Sequence, residues 1–201
     1  MTLNRSCGSC TLCCKLLPVK GVDKPAHTRC QHQFSGGCRI YSTKPQECSD
    51  WSCVWRRGDE ATVHLRRPDR SHYIIDMYPD LIRVTNNDTG STQERVCFQV
   101  WLDLDYPDAW KDKALLHFLL ITKIPALVRL GSHRAFAVFP PGASENGQWN
   151  VSTPHECNLP DGALLRRRLA AELEAHRESQ SRPHPSHSLP PDPPTLDSDQ
   201  L

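Results

Sequence analysis

Eight cysteines within the first 55 residues set the terms on which this chain folds. They read Cys7-x2-Cys10-x2-Cys13-Cys14, then Cys30, Cys38 and Cys48-x4-Cys53. Thiols at that density need partners, because left exposed they oxidise or cross-link. The partners are metal or each other. Nothing resembling a secretory n-region and h-region precedes Cys7, which predicts a reducing, cytoplasmic setting where disulfides are rare and such spacings favour metal. Two cysteines separated by two residues can turn both sulfurs toward one point about 2.3 Å away, as tetrahedral zinc or an iron-sulfur cluster requires. Soft thiolates select zinc, cuprous copper or iron-sulfur centres over magnesium or calcium. The ligand pool is therefore Cys7, Cys10, Cys13, Cys14, Cys30, Cys38, Cys48 and Cys53, enough thiolates for two four-coordinate ions. Cys14 is the awkward member: in an extended turn its side chain points away from that of Cys13, so it either serves a second centre or caps the first from another angle.

Charge supports the same segment. Residues 1–57 hold nine Lys or Arg (Arg5, Lys15, Lys20, Lys24, Arg29, Arg39, Lys44, Arg56, Arg57) against three acids (Asp23, Glu47, Asp50), while the whole chain is only +1. Four thiolates around a divalent ion leave surplus negative charge, which a basic shell offsets while lowering the thiol pKa values. The plainer alternative is a solvated basic face.

Beyond the four cysteines at its start, this segment carries Asp23-Lys24-Pro25, then Gly37-Cys38-x-Ile40-Tyr41-x2-Lys44-Pro45-x2-Cys48, then Trp51-x-Cys53-x-Trp55. In that order the residues resemble the CxxCxxCC family of zinc- or iron-chelating proteins, the YkgJ-type cysteine-cluster proteins. The likeness covers about residues 7–55 and is weaker at Leu65-Arg66-Arg67-Pro68-Asp69-Arg70. It implies chelation of zinc or iron. Where that family has Cys-x-His-Cys, this chain has Cys30-Gln31-His32-Gln33, and Lys44 and Trp51 stand where Arg and Phe are common. Either position 33 is not a ligand, or His32 or water completes the site, or one of two centres is incomplete.

At 201 residues with 38% hydrophobic and 7% aromatic residues, the chain is thin for one globular core of its length, so part of it belongs elsewhere. The longest apolar run, residues 114–121, is interrupted by His117 and falls short of the roughly 20 residues needed to cross a bilayer, so no membrane association is expected. Near-neutral charge argues against a dedicated nucleic-acid binder.

Glycines and prolines break up the cysteine region, where metal would stand in for a hydrophobic core. Phe34, Ile40, Tyr41, Trp51 and Trp55 would shield the site or pack against the region after residue 60. In that second region the patterning predicts strands over 72–78, 81–85 and 95–102, a helix starting near Pro107-Asp108 and ending before Pro125, and a hairpin of 126–130 with 135–139. The fold class expected is α+β, one antiparallel sheet with a helix on its face. In the strand over 95–102, Val96, Phe98 and Val100 form the apolar face, and Cys97 reads as a small buried side chain. His117 falls on the helix's apolar stripe with Trp110, Ala114, Phe118 and Ile121, as a core histidine. A second helix is expected over 162–178, with a disordered Pro-rich tail over 179–201. Three parts result: a metal-binding module (1–60), an α+β domain (61–178) and the tail.

No phosphate-cradling glycine loop, dinucleotide fingerprint, Gly-x-Ser-x-Gly elbow or His-Glu-x-x-His occurs, which removes support for the familiar nucleotide and hydrolase chemistries. Three readings of function stand: a protein that chelates zinc or iron, an iron-sulfur enzyme or electron carrier, and a zinc-stapled platform for protein or RNA. The first fits the cysteines best. The second has the first three thiols of a ferredoxin-like run but lacks the Cys-Pro that closes it.

Overall fold

Residues 4–86, 89–157 and 171 are described by a computed structural model of the chain, and those up to 157 belong to one unit, Met1–Leu165. The expected helix at 162–178 and the tail beyond it lie outside the described residues. Five short elements come first: α1 (Leu12–Leu16), β1 (Gln33–Phe34), β2 (Gly37–Cys38), α2 (Gln46–Asp50) and α3 (Pro68–Ser71). The chain continues through β3 (Tyr73–Ile75), β4 (Asp80–Thr85), β5 (Thr92–Leu102), α4 (Lys113–Thr122), β6 (Ala126–Arg129), β7 (Arg134–Phe139), β8 (Asn150–Val151) and β9 (His155–Glu156). The class is α+β, and the expected order of three strands, a helix and two strands is present.

The sheet runs β3-β5-β6-β7-β8, with β4 paired to β5 and β9 to β7. One pairing departs from the antiparallel expectation. β5 and β6 are parallel, with Val100 opposite Val128. The cause is the helix between them: α4 carries the chain back along the sheet, so the next strand re-enters in the same direction.

β5 is also buried more fully than its alternation suggests. Val100 and Leu102 pack with Leu115, Phe118 and Leu119 of α4 and with Val128 and Val138. On the opposite face Trp101 packs with Ile74 and with Leu12, Leu16, Leu17, Ala26 and Cys53. The cysteine-rich segment therefore covers the second face of the sheet. Cys97 is fully buried there beside Leu127 and Ala135, as expected of it, whereas Val96, placed by its pattern on the apolar face, is 38% exposed.

α4 begins later than proline placement predicts, because residues 109–111 form a separate 3₁₀ turn. Asp112 caps it: Oδ1 accepts from Ala114 N at 3.0 Å and Oδ2 accepts from Arg66 at 2.8 Å. The buried stripe is Leu115, Phe118 and Leu119. His117 is exposed, its ring edge-on to His64 at 4.9 Å between centroids, so the core-histidine expectation is corrected. Replacing Asp112 by Ala is expected to cost about 1 kcal/mol and Asp112→Asn less, because the amide oxygen still accepts from Ala114; urea unfolding of the two variants checks this. Among the described residues no helix is long and apolar enough to cross a membrane.

Candidate metal centre

All ten cysteines are free thiols. α1 is a single helical turn whose Leu12 and Leu16, four apart and therefore on one side, dock against Trp101 and Ile74 of the sheet. Cys13 packs against the same cluster, and Cys14 follows it on the helical turn. Cys7 and Cys10 lie in the turn before it, where Cys10 N donates to Cys7 O at 2.9 Å and Gly8 takes φ +53. Only a residue without a Cβ adopts this easily, and Arg67 Nη1 would stand 3.4 Å from a Cβ built there. Cys53 comes from the far end of the segment and is fixed by a backbone bridge to Asp76 at the edge of the sheet. It packs in the same cluster as Cys10 and Cys13. Asp76 also accepts from Trp51 Nε1 at 3.0 Å, so Trp51 and Trp55 turn inward, whereas Tyr41 is 70% exposed and shields nothing.

The other thiols gather around a different point. Cys30 N donates to Cys14 O at 2.9 Å, and Gln33 N donates to Cys30 O at 3.0 Å, which leads into the β1–β2 hairpin where Gln33 pairs with Cys38. Cys48 sits on α2, whose Glu47 accepts from Gly21 N at 3.3 Å. Between these loops lies Lys24, only 6% exposed, its ammonium donating to the carbonyls of Leu17 and Pro25.

The electrostatics join the two groups through Cys13 and Cys14. Burial raises the Cys10 thiol, with Asp69 and Cys7 adding to the effect, and pushes Cys53 up to about 11, with Cys7 and Cys10 adding to the effect. Burial raises Cys48 too, but there Cys14, Cys30 and Cys38 are the neighbouring thiols. The Cys13 thiol donates to the Cys14 sulfur; this holds Cys13 well above the ordinary range and draws Cys14 down to about 7, helped by Lys24 and Lys44. Lys24 itself is lowered by burial and supported, in order, by Cys30, Cys14, Cys13 and Cys48.

Not every basic residue serves the thiols. Lys15 is held by Asp103 and Asp105 at 2.6 Å each, and Arg57 by Asp59 at 2.8 Å. The thiols are neighbours without forming a closed shell: among the described residues no group of three or more His, Cys, Asp or Glu side chains is placed so that it could hold a metal ion.

No family model, curated protein or solved structure matches this chain.

Gln33, in the place of a thiol common in the resembled family, has a role of its own. Its Nε2 donates to Thr11 Oγ1 at 2.6 Å and ties the hairpin to the start of α1. Cys157 lies apart from the N-terminal thiols, its sulfur 3.0 Å from the Arg129 guanidinium, and His155 is exposed with Nδ1 3.3 Å from Thr153 O. In the sequence Lys24 reads as one of nine basic residues and as part of Asp23-Lys24-Pro25, and neither reveals its burial. Asp76 gives no signal either, since a lone carboxylate within the expected strand over 72–78 carries no sign of burial.

The donor set is chemically suited to a soft ion. Eight reduced thiols come from five separate places in the chain, and no disulfide competes for them.

Proposed function

We propose that this is a metal-binding protein that chelates zinc or iron through its N-terminal cysteine cluster in a reducing, cytoplasmic environment. The observation that carries the reading is the gathering of thiols far apart in sequence: Cys30 is bonded through its backbone to Cys14, and Cys53 packs with Cys10 and Cys13 in the apolar cluster around Trp101 of the sheet. Cys7, Cys10, Cys13, Cys14, Cys30, Cys38, Cys48 and Cys53 are the ligands it draws on. A bound ion supplies charge neutralisation and cross-linking among these loops. The protein's part is to hold the thiols near each other, exclude water from Cys53 behind Trp51 and Trp55, and supply counter-charge from Arg5 and Lys24, whereas Arg67 is held by Asp69 at 2.6 Å.

Elemental analysis of full-length protein purified without oxygen tests this. Stoichiometric zinc in a colourless preparation, or iron in a coloured one, is the expected result. Removing the ion with a chelator should raise hydrogen exchange across residues 4–57 far more than across β6 and β7. Protein that carries no metal, and takes up neither Zn2+ nor Fe2+ when reduced, overturns the proposal. A brown, oxygen-sensitive preparation would assign the iron to a sulfur cluster.

A further inference from the structure

Two aromatic rings of the cysteine segment stay outside the apolar cluster that Trp51 and Trp55 join. Phe34 is 42% exposed on β1, and Tyr41 is 70% exposed in the 3₁₀ turn Tyr41–Thr43 that follows β2. Phe34 opposes Gly37 in the hairpin and Tyr41 lies four residues beyond Gly37, so their Cα atoms are within about 20 Å of each other. Burying a ring stabilises far more than leaving it wet, and two exposed rings this close together point to a partner that covers them.

Each ring already carries a cation. Lys44 Nζ stands 4.3 Å from the Tyr41 ring centroid, and the Arg39 guanidinium stands 5.9 Å from that of Phe34. A cation over one face steadies a ring, and the exposure of Tyr41 leaves its other face open to a second planar group. The place of Phe34 is set by its own turn: a Cβ at Gly36 would come 2.8 Å from Phe34 Cε2, so glycine there lets the ring lie this close to the backbone.

The charge around these rings is of one sign. From Lys24 to Gln46 the sequence contains no acidic residue, and of its four Lys or Arg only Lys24 is buried. Arg29 and Arg39 are exposed, Lys44 is half-buried, and among the described residues none of the three is ion-paired. The near-neutral charge of the whole chain conceals this stretch, because the acids lie elsewhere. Cations that meet phosphates and rings that meet unpaired bases are the two elements of single-strand binding. An acidic peptide would use the cations and leave the rings idle, and a duplex keeps its bases stacked out of their reach.

We infer that the β1–β2 hairpin and the turn after it bind single-stranded nucleic acid, with Phe34 and Tyr41 stacking on bases while Arg29, Arg39 and Lys44 meet phosphates. None of the eight thiols makes these contacts.

The test follows, by fluorescence anisotropy, the binding of labelled oligouridylate and oligodeoxyuridylate of about 12 nucleotides to full-length reduced protein as salt is raised. Wild type should bind the strands, more weakly as salt increases. Tighter binding of either one supports the inference and names RNA or DNA as the source. Tyr41→Ala removes only an exposed ring; it should weaken binding about 5–150-fold with the salt slope unchanged, and Tyr41→Phe should stay near wild type. Arg39→Gln/Lys44→Gln should flatten the log–log salt slope by about 1.4, since each phosphate contact on a single strand contributes about 0.7. Failure to bind either strand, unchanged binding in Tyr41→Ala, or tighter binding of a DNA duplex or of polyglutamate than of the single strands would overturn the inference.

Discussion

Trp101→Ala is expected to cost about 3–5 kcal/mol in denaturant unfolding, a large share of the roughly 5–15 kcal/mol that holds a domain of this kind together. Trp101 is 1% exposed and packs in one cluster with Leu12, Leu16, Leu17, Ala26, Cys53 and Ile74. The Arg129 guanidinium lies 5.8 Å from its ring centroid, and His27 is tilted against it at 5.9 Å. Truncation removes the surface on which α1 rests. The short elements around it have little else to bury, so they cannot collapse into the space left behind. Trp101→Phe should lose less, because most of the apolar contact survives. Wild-type stability in Trp101→Ala would mean that the cysteine segment does not lean on β5.

Arg129→Leu should be comparably damaging, at about 3–5 kcal/mol. The guanidinium is buried in the sheet and works as a fork: Nε donates to Gln99 Oε1 at 3.0 Å, Nη1 to Cys157 Sγ at 3.0 Å, and Nη2 meets Asp80 Oδ2 at 3.4 Å. Leucine fills much of the volume but leaves a buried amide oxygen without this donor and a carboxylate without this cation. Arg129→Lys should not restore stability, since one ammonium cannot meet three acceptors spread over β4, β5 and the segment after β9. Thermal unfolding of both variants beside Asp80→Asn/Arg129→Leu separates the charge effect from the packing effect. If the double variant recovers stability, the loss came from the stranded carboxylate.

The strands and the helix between them were legible because period-two and helical patterning are local properties, and residues 72–139 carry both. What was not legible came from distant parts of the chain. The alternation of β5 reads as one buried and one wet face, yet Trp101 is covered by α1, more than 80 positions earlier. The direction of β6 depends on how α4 crosses the sheet, which composition does not record. His117 sits on a plausible apolar stripe, but α4 starts at Lys113 under the Asp112 cap, and that start selects Leu115, Phe118 and Leu119 as the buried set instead. In the cysteine region, spacing named the thiols but not which of them meet. That depends on a backbone bond from Cys30 to Cys14 and on the packing of Cys53 with Cys10 and Cys13.

The way the first quarter of the chain lies on β5 also fixes an order of events during synthesis. Trp101 follows Cys53 by 48 positions, so every thiol of the cluster leaves the ribosome before the surface that will back it exists. At translation speeds of about 5–20 residues per second that interval is about 2–10 s. For those seconds the nascent segment is a solvent-open string of reduced sulfur, and whichever ion or oxidant meets it first does so without competition from the finished sheet.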